Sequence, residues 1–329
     1  MLLIDTSVGS SYIPFQATLR ILLGMSPEQE VWQNILYKIR IPRTITAALA
    51  GIALSISGLQ MQTLFRNPLA GPSVLGITSG ASLGIALVIL GSGSALNVYT
   101  LQKLGIGGSW LLIGAAVIGS ALVFLLIMLL ASRIRDNVVL LILGIMIGNI
   151  TVAIVSVWQY FSQPEQVQDF ILWTFGSFGG ITSDQLTLFS AIVLVGVALS
   201  LLISKPLNTL LLGENYAQSM GISIQRVRLL IIAITSILAG SITAFVGPIG
   251  FIGIAVPHLT RSLFNTSNHK ILIPNCGLIG AILMLLCDIV AKLPGSQSTL
   301  PINAITALIG APVVIAVIMK QRNLGKAFK

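Results

Sequence analysis

Nine long apolar runs divide the chain, and the short segments between them hold most of the charged residues. Most runs reach the ~20 residues that a helix needs to cross the ~30 Å hydrocarbon core of a bilayer. The seventh run is short and contains Pro257. The pattern predicts an all-α polytopic membrane protein in which about nine spans are visible. The runs lie at residues 44–65, 73–91, 109–131, 137–161, 185–204, 229–246, 250–263, 271–291 and 301–319.

The first 43 residues differ from the rest, because polar positions interrupt their apolar ones. Residues 16–24 and 29–39 have the amphipathic pattern of short helices that lie at the membrane interface. Residues 1–4 form a short apolar piece, and Asp5 and a stretch rich in Ser and Gly follow. No signal peptide is visible, since no charged start precedes an apolar core.

The composition strengthens the prediction of a membrane protein. Of the 329 residues, 55% are hydrophobic and 8% are charged, against about 25% charged in soluble domains. The net charge of +9 would suggest nucleic acid binding in a soluble protein, but basic residues also collect in the cytoplasmic loops of membrane proteins. One alternate set of loops holds 12 of the 18 Lys and Arg, so we predict that this set and the C-terminus are cytoplasmic and that no nucleic acid binds. The 12 residues are Arg66, Arg133, Arg135, Lys205, Arg226, Arg228, Arg261, Lys270, Lys320, Arg322, Lys326 and Lys329.

This orientation places Arg40 and Arg43 outside, at the start of the first visible span. Nine spans would then leave the N-terminus outside with nothing to carry it across the membrane. We therefore expect one more helix before Asp5, of which residues 1–4 are the end. The sequence would then start late or be truncated.

Few residues in the spans are ionisable, which limits the chemistry of the chain. Asp288 lies one turn from Lys292, and the favoured interpretation is an ion pair at the end of a helix. His258 is interpreted as a hydrogen-bonded structural histidine. Cys276 and Cys287 would be ~16 Å apart along a helix, too far for a disulfide. With no metal-ligand spacing and no G-x-x-x-x-G-K-[ST] loop, we predict no bound metal or cofactor and no nucleotide hydrolysis by this chain.

Neutral polar side chains take the place of intramembrane carboxylates, and this argues against an ion-coupled carrier. The spans carry Gln60, Gln62 and Asn149 together with Ser and Thr. Such side chains either line a water-filled passage or form hydrogen bonds between helices. Both alternatives are open at this point.

Residues 205–228 form the longest segment on the predicted cytoplasmic side. It contains Leu210, Leu211, Leu212, Ala217 and Met220, which are apolar although they lie outside a span. Exposed apolar groups of this kind mark a protein contact, and the alternative is a helix lying flat at the lipid interface. Two short helices are expected here, separated by Gly213 and Gly221.

Two Gly/Pro-broken segments resemble each other, GPSVLGI at 71–77 and GPIGFIGI at 247–254. Both follow a helix rich in small residues. They would cross the membrane in opposite senses, as inverted repeats do.

The order of several motifs resembles one family, the FecCD-type permeases. These are the membrane subunits of ABC importers for iron–siderophore, haem and vitamin B12. The resemblance covers nearly the whole chain. It rests on RIPR at 40–43, GLQMQTLFRNPLAGPSVLGITSGA at 58–81, WTFGSFGG at 173–180, LLLGENYAQSMGI at 210–222, GPIGFIGIAVPHLTR at 247–261, DIVAK at 288–292 and LPINAITALIGAP at 300–312.

The resemblance implies a single permease domain over residues 1–329 with ten spans, of which the first is missing here. It also implies a homodimer in the bacterial inner membrane, two separate ATPase subunits that use ATP, and an extracytoplasmic binding protein. Cargo would then pass by alternating access.

The resemblance further assigns roles to residues of this sequence. Basic residues at the outer surface would dock the binding protein, the loop at 205–228 would couple to the ATPase, and the turn after the first visible span would form a cytoplasmic gate. The residues are Arg40, Arg43 and Lys292 for docking, Leu212, Gly213, Glu214, Ala217, Met220 and Gly221 for coupling, and Asn67 and Leu69 for the gate.

Two positions depart from the family pattern, Gly71 in the turn before Pro72 and Thr299 before the last span. The first bears on the gate, and the second on docking or the outer mouth. Two other functions are alternatives, a stand-alone secondary transporter and a non-transporting anchor or sensor. Transport driven by an ion gradient without an ATPase would identify the first.

Overall fold

A computed structural model describes residues 1–9, 11, 13–25, 29–91, 108–134, 136–292 and 299–327. The regular elements of these residues are helices. A π-helical turn, Leu36–Arg40, joins α3 to α4, and a 3₁₀ turn, Pro72–Leu75, precedes α5. The α-helices are α1 (Leu2–Ser7), α2 (Phe15–Leu22), α3 (Glu30–Ile35), α4 (Ile41–Phe65), α5 (Ile77–Ile89), α6 (Gly108–Arg133), α7 (Asn137–Phe161), α8 (Pro164–Thr174), α9 (Ser183–Leu202), α10 (Ser204–Leu211), α11 (Glu214–Ser219), α12 (Ile224–Val246), α13 (Ile252–Phe264), α14 (His269–Ala291) and α15 (Ile302–Ala327).

Each predicted apolar run coincides with a helix, so the all-α, multi-span prediction is confirmed. Within the described residues, 6 helical segments are long and apolar enough to cross a membrane. Three more runs correspond to α5, α13 and α15, of which α5 and α13 have only 13 residues each. The 6 segments are Glu30–Phe65, Ser109–Arg133, Asn137–Phe161, Ser183–Leu202, Ile224–Val246 and His269–Ala291.

The helix α4 lies at the centre of the bundle and packs against α9, α12, α13 and α14. Small residues allow the close approach. A Cβ added to Gly58 would overlap the carbonyl oxygen of Gly253 in α13, and one added to Gly51 would overlap that of Gly280 in α14. Helix pairs in membranes depend on this kind of van der Waals contact, because lipid tails are as apolar as the side chains.

The two Gly/Pro-broken segments occupy equivalent positions, since each leads into one of the 13-residue helices. A 13-residue helix is ~20 Å long, too short to span the bilayer core alone. The breaks meet inside the protein, where a Cβ on Gly253 would lie 2.7 Å from Pro72 Cδ. Irregular backbone at membrane depth is tolerated only when protein buries it in this way.

The loops predicted to share one side do meet at one end of the bundle. Arg228 Nη1 donates to the carbonyl of Ile134 at 2.8 Å, and Arg66 Nη2 donates to that of Leu210 at 2.8 Å. We call this the inner end, after its predicted orientation. The opposite end, which holds Arg43, is the outer end.

The N-terminal residues cover the outer end. The predicted interfacial helices are found as α2 and as α3 with its π-helical turn. The short helix α1 packs against α4 and α14. The expected helix before residue 1 stays a prediction.

Candidate functional sites at the two ends of the bundle

Four charged side chains form a compact group at the outer end, which we call the outer charge cluster: Asp5, Arg43, Asp288 and Lys292. Arg43 donates to Asp288 Oδ1 from Nε at 3.0 Å and from Nη2 at 2.8 Å. Lys292 Nζ lies 2.8 Å from Asp5 Oδ1 and 2.9 Å from Asp288 Oδ2. The cluster joins α1, α4 and the end of α14.

The cluster is almost closed to solvent. The side chains of Asp5 and Asp288 are 0% exposed, that of Lys292 is 4% exposed and that of Arg43 is 17% exposed. Its two acids and two bases balance in formal charge, which is the condition for burying charges without a large desolvation penalty. The predicted Asp288–Lys292 pair is confirmed, but sequence reasoning missed the role of Asp5 and the pairing with Arg43.

Arg40 is also buried, against the first residues of the chain. Its Nη1 donates to the carbonyls of Thr6 at 3.0 Å and Ser7 at 2.7 Å, and its Nη2 donates to the carbonyl of Ser11. These bonds fasten the segment after α1 to the start of α4.

This burial corrects one premise of the docking prediction. Arg40 and Lys292 are not open surface charges, because α1 and the residues after it cover them. Arg43 is partly accessible and borders an outer cavity of about 190 Å³ with Phe175 and Leu300. Whether these residues dock a binding protein stays a prediction.

The amide of Gln60 bridges two helices in the middle of the bundle. Its Nε2 donates to Ser200 Oγ at 2.6 Å, and its Oε1 accepts from Thr235 Oγ1 at 3.1 Å. The side chain is 0% exposed. Of the two alternatives that the sequence left open, Gln60 forms hydrogen bonds between helices and does not line a passage.

Gln62 lies nearer the inner end and is also engaged. Its Nε2 donates to the carbonyl of Ile254 at 3.2 Å, and its Oε1 accepts from Arg261 Nη1 at 2.7 Å. The side chain borders a cavity at the inner end. It is therefore both a contact between helices and part of a cavity wall.

The predicted gate turn is held by two hydrogen bonds. Asn67 Oδ1 accepts from the backbone N–H of Leu69 at 2.9 Å, and His258 Nε2 donates to the carbonyl of Pro68 at 2.8 Å. The structural interpretation of His258 is thereby confirmed. The side chain of Leu69 is exposed at the tip of the turn. Its role as a gate is not tested by this geometry.

The 205–228 segment forms the two expected short helices, α10 and α11. Gly213, with φ 118°, and Gly221, with φ 80°, stand on either side of α11. Both angles lie in a region that favours glycine, which explains these residues at these positions. Apolar side chains are exposed on the side of the segment that faces away from the helix bundle. We call them the coupling surface: Leu211, Leu212, Tyr216 and Met220.

Two of the predicted coupling residues point inward. Ala217 is 0% exposed, so it packs against the bundle and is not available to a partner. Glu214 Oε1 accepts from Asn137 Nδ2 at 2.7 Å and lies 3.7 Å from Arg228 Nη2. Sequence reasoning missed Tyr216, which the same apolar-outside-a-span signal could have identified.

No group of three or more His, Cys, Asp and Glu side chains in the described residues is arranged to hold a metal ion. Cys276 and Cys287 are free and buried. The prediction that they are packing residues is confirmed.

Comparison with known proteins gives consistent matches over most of the chain. A family model described as the FecCD transport family matches residues 1–320. The vitamin B12 import system permease protein BtuC of Citrobacter koseri is 37% identical over 294 residues, which cover 89% of this chain and 84% of that protein. The BtuC protein of Salmonella paratyphi A is 38% identical over 300 residues, covering 91% and 86%.

Comparison with solved structures also gives matches over most of the chain. A metal-chelate type ABC transporter in an inward-facing conformation matches with a TM-score of 0.81 and 30% identity, covering 97% of this chain and 96% of that one. PsaBC from Streptococcus pneumoniae matches with a TM-score of 0.51 and 15% identity, which shows similarity of fold alone.

The first prediction concerns the outer charge cluster. Asp288→Asn would leave two buried bases facing one acid, and we expect the free energy of unfolding to fall by about 3–5 kcal/mol. Thermal unfolding in detergent, with Asp184→Asn as the control, measures the loss, because Asp184 is an exposed acid. Adding Arg43→Gln to Asp288→Asn restores the charge balance and should recover part of the stability. Equal stability of the Asp288→Asn and Asp184→Asn variants would contradict the assigned pairing.

Proposed function

The chain belongs to the FecCD transport family, and on that premise we propose that it is the membrane-spanning permease subunit of an ATP-driven importer. The cargo would be an iron chelate, such as a siderophore complex or haem, or cobalamin. The observation that carries the proposal is the coupling surface, an apolar patch outside the spans at the inner end. The relatives named for vitamin B12 import and metal-chelate transport support the class of cargo.

The energy source must lie in partner subunits. The sequence has no G-x-x-x-x-G-K-[ST] loop with which to hold nucleotide phosphates. Leu212 is 64% exposed and Met220 is 59% exposed, and apolar groups of this size outside the bilayer favour burial in a groove of another protein. We therefore assign the coupling surface to contact with two ATPase subunits, one for each copy of the permease.

Hydrogen bonds connect the coupling surface to the spanning helices. Glu214 in α11 is bonded to Asn137, the first residue of α7. Arg66 at the end of α4 is bonded to the carbonyl of Leu210 in α10. A displacement of α10 and α11 by an ATPase would thus reach α7 and α4 directly, which is the mechanical link that alternating access needs.

A polar stripe on α7 supports a homodimer with a passage at its interface. Asn149, Ser156 and Tyr160 are exposed and lie on one face of the helix, at spacings of 7 and 4 residues. An amide such as that of Asn149 is costly against lipid, so it favours a contact with protein or a water-filled cavity. We propose that this face of α7 meets a second copy of the chain in the bacterial inner membrane and lines part of the path.

The extracytoplasmic binding protein would dock at the outer end. Arg43 is accessible there from the outer cavity, and Lys38 is exposed in the π-helical turn that precedes α4. Acidic groups on the binding protein would meet these cations, which gives register and faster association more than affinity.

The second prediction tests the coupling surface. Leu212→Ser and Tyr216→Ser should each reduce co-purification of the ATPase with the permease, because they remove apolar contact area. They should also reduce uptake of substrate into liposomes. The control is Leu23→Ser, which changes a similarly exposed leucine near the opposite end. Full ATPase binding and uptake by both coupling variants would exclude this surface as the contact.

The third prediction tests the path. Cys276 and Cys287 are buried, so the natural chain gives little background with thiol reagents. The Asn149→Cys variant should react with a membrane-impermeant maleimide, whereas Val195→Cys on the exposed apolar face of α9 should not. Equal labelling of the two variants would argue against a water-filled path along α7.

The fourth prediction tests docking without disturbing the buried cluster. Lys38→Glu should slow association with the binding protein at low salt, and the defect should shrink as salt rises, because exposed charges are screened. Lys205→Glu applies the same charge change at the inner end, where the side chain is also exposed. An equal effect of both reversals, or none of Lys38→Glu at low salt, would refute docking at this surface.

A further inference from the structure

A cavity of about 360 Å³ opens at the inner end, among the end of α4, α10, α13 and the start of α14. We call it the inner cavity. Most of the residues that line it are polar or cationic. Six of the residues that form it are Gln62, Thr63, Arg66, Arg261, Ser267 and His269.

Two guanidinium groups share this cavity, and both are bonded only to neutral acceptors. Arg66 Nη2 donates to the carbonyl of Leu210 at 2.8 Å, and Arg261 Nη1 donates to Gln62 Oε1 at 2.7 Å. Within the part of the chain that the structure describes, no carboxylate forms an ion pair with either arginine. Each guanidinium has five N–H donors, so several remain for a ligand.

The nearby acids of the inner end have other partners. Glu214 is bonded to Asn137, and Asp136 accepts from the backbone N–H groups of Val138 and Val139 at the start of α7. The inner cavity therefore has an excess of about two positive charges. The start of α14 at His269 adds the positive end of a helix dipole.

Hydrogen bonds hold the His269 side chain in the wall of the inner cavity. His269 is bonded through both ring nitrogens, to Thr63 Oγ1 at 2.8 Å and to Asn208 Oδ1 at 2.8 Å. The hydrogen-bond donors that remain available to a ligand are therefore those of the two arginines and the Ser267 hydroxyl, which also lines the cavity. Guanidinium groups suit phosphate oxygens, because their N–H donors form bidentate, charge-assisted hydrogen bonds with them.

We propose that the inner cavity binds a phosphate-type oxyanion between Arg66 and Arg261. The bound anion would bridge α4 and α13, the two helices that hold the Asn67–Leu69 turn through the chain and through His258. Two sources share this chemistry, the headgroup of an anionic phospholipid in the inner leaflet and a free phosphate. Basic pockets at the cytoplasmic ends of spanning helices are known to take lipid headgroups.

The experiment uses the full chain in lipid nanodiscs. Inorganic phosphate is titrated into phosphatidylcholine discs, against chloride at equal ionic strength, and the shift of the thermal unfolding midpoint gives the affinity. Phosphatidylglycerol is added in the second arm, and native mass spectrometry counts the retained lipid. Stabilisation by phosphate identifies the free anion, and selective retention of phosphatidylglycerol identifies the lipid; either result supports the site.

Variants tie the binding to the two arginines. Arg66→Gln and Arg261→Gln should each weaken binding about tenfold, because each loses charge-assisted hydrogen bonds, whereas Arg261→Lys should retain part of the affinity. Arg133→Gln, an exposed arginine at the end of α6, is the matched control and should bind as the natural chain does. If Arg261→Gln does not fold, the binding measured for Arg66→Gln tests the proposal, because Arg66 is an exposed residue.

The proposal is overturned if neither phosphate nor phosphatidylglycerol binds the natural chain. It is also overturned if Arg133→Gln weakens binding as much as Arg66→Gln. Failure of either kind would leave the permease function untouched, because coupling and uptake are measured separately.

Discussion

Close contact between small residues on α4 and its neighbours is the constraint on which the rest of the structure depends. Inside a bilayer the hydrophobic effect does not drive helices together, so their association depends on packing and on bonds between helices. Gly51 lets α14 approach α4, and Gly58 does the same for α13. The antiparallel contact of α4 with α14 then sets Arg43 beside Asp288 at one end and Thr63 beside His269 at the other.

The two ends use charge in opposite ways. In the outer charge cluster, the two acids and the two bases pair with one another almost out of contact with water. At the inner end, Arg66 and Arg261 share a cavity without a carboxylate of their own. The first arrangement stabilises the fold and needs no further ion. The second leaves positive charge that no acid among the described residues pairs with.

The spans were predictable because a helix that crosses a bilayer needs a minimum number of apolar residues, and runs of that length are visible in the sequence. The short helices around Gly213 and Gly221 were predictable as well, since few residues other than glycine adopt their φ values. The outer charge cluster was not predictable from the sequence. Arg43 and Asp288 are 245 positions apart, and Asp5 and Lys292 are 287 positions apart. Local spacing reveals only the pair one helical turn apart. The role of Gln60 was not predictable from the sequence for the same reason. Its hydrogen-bond partners, Ser200 and Thr235, are far away in the sequence, and no local pattern around Gln60 identifies them.

The Gln60 bridge has a mechanical consequence for a protein that changes shape. Sliding or rotating α4 against α9 and α12 would break both of its hydrogen bonds at once, among side chains that are 0% exposed. The bridge therefore opposes relative movement of these three helices. Under the alternating access proposed above, the deformation would be taken up elsewhere, and the Gly/Pro breaks before α5 and α13 are the candidate hinges.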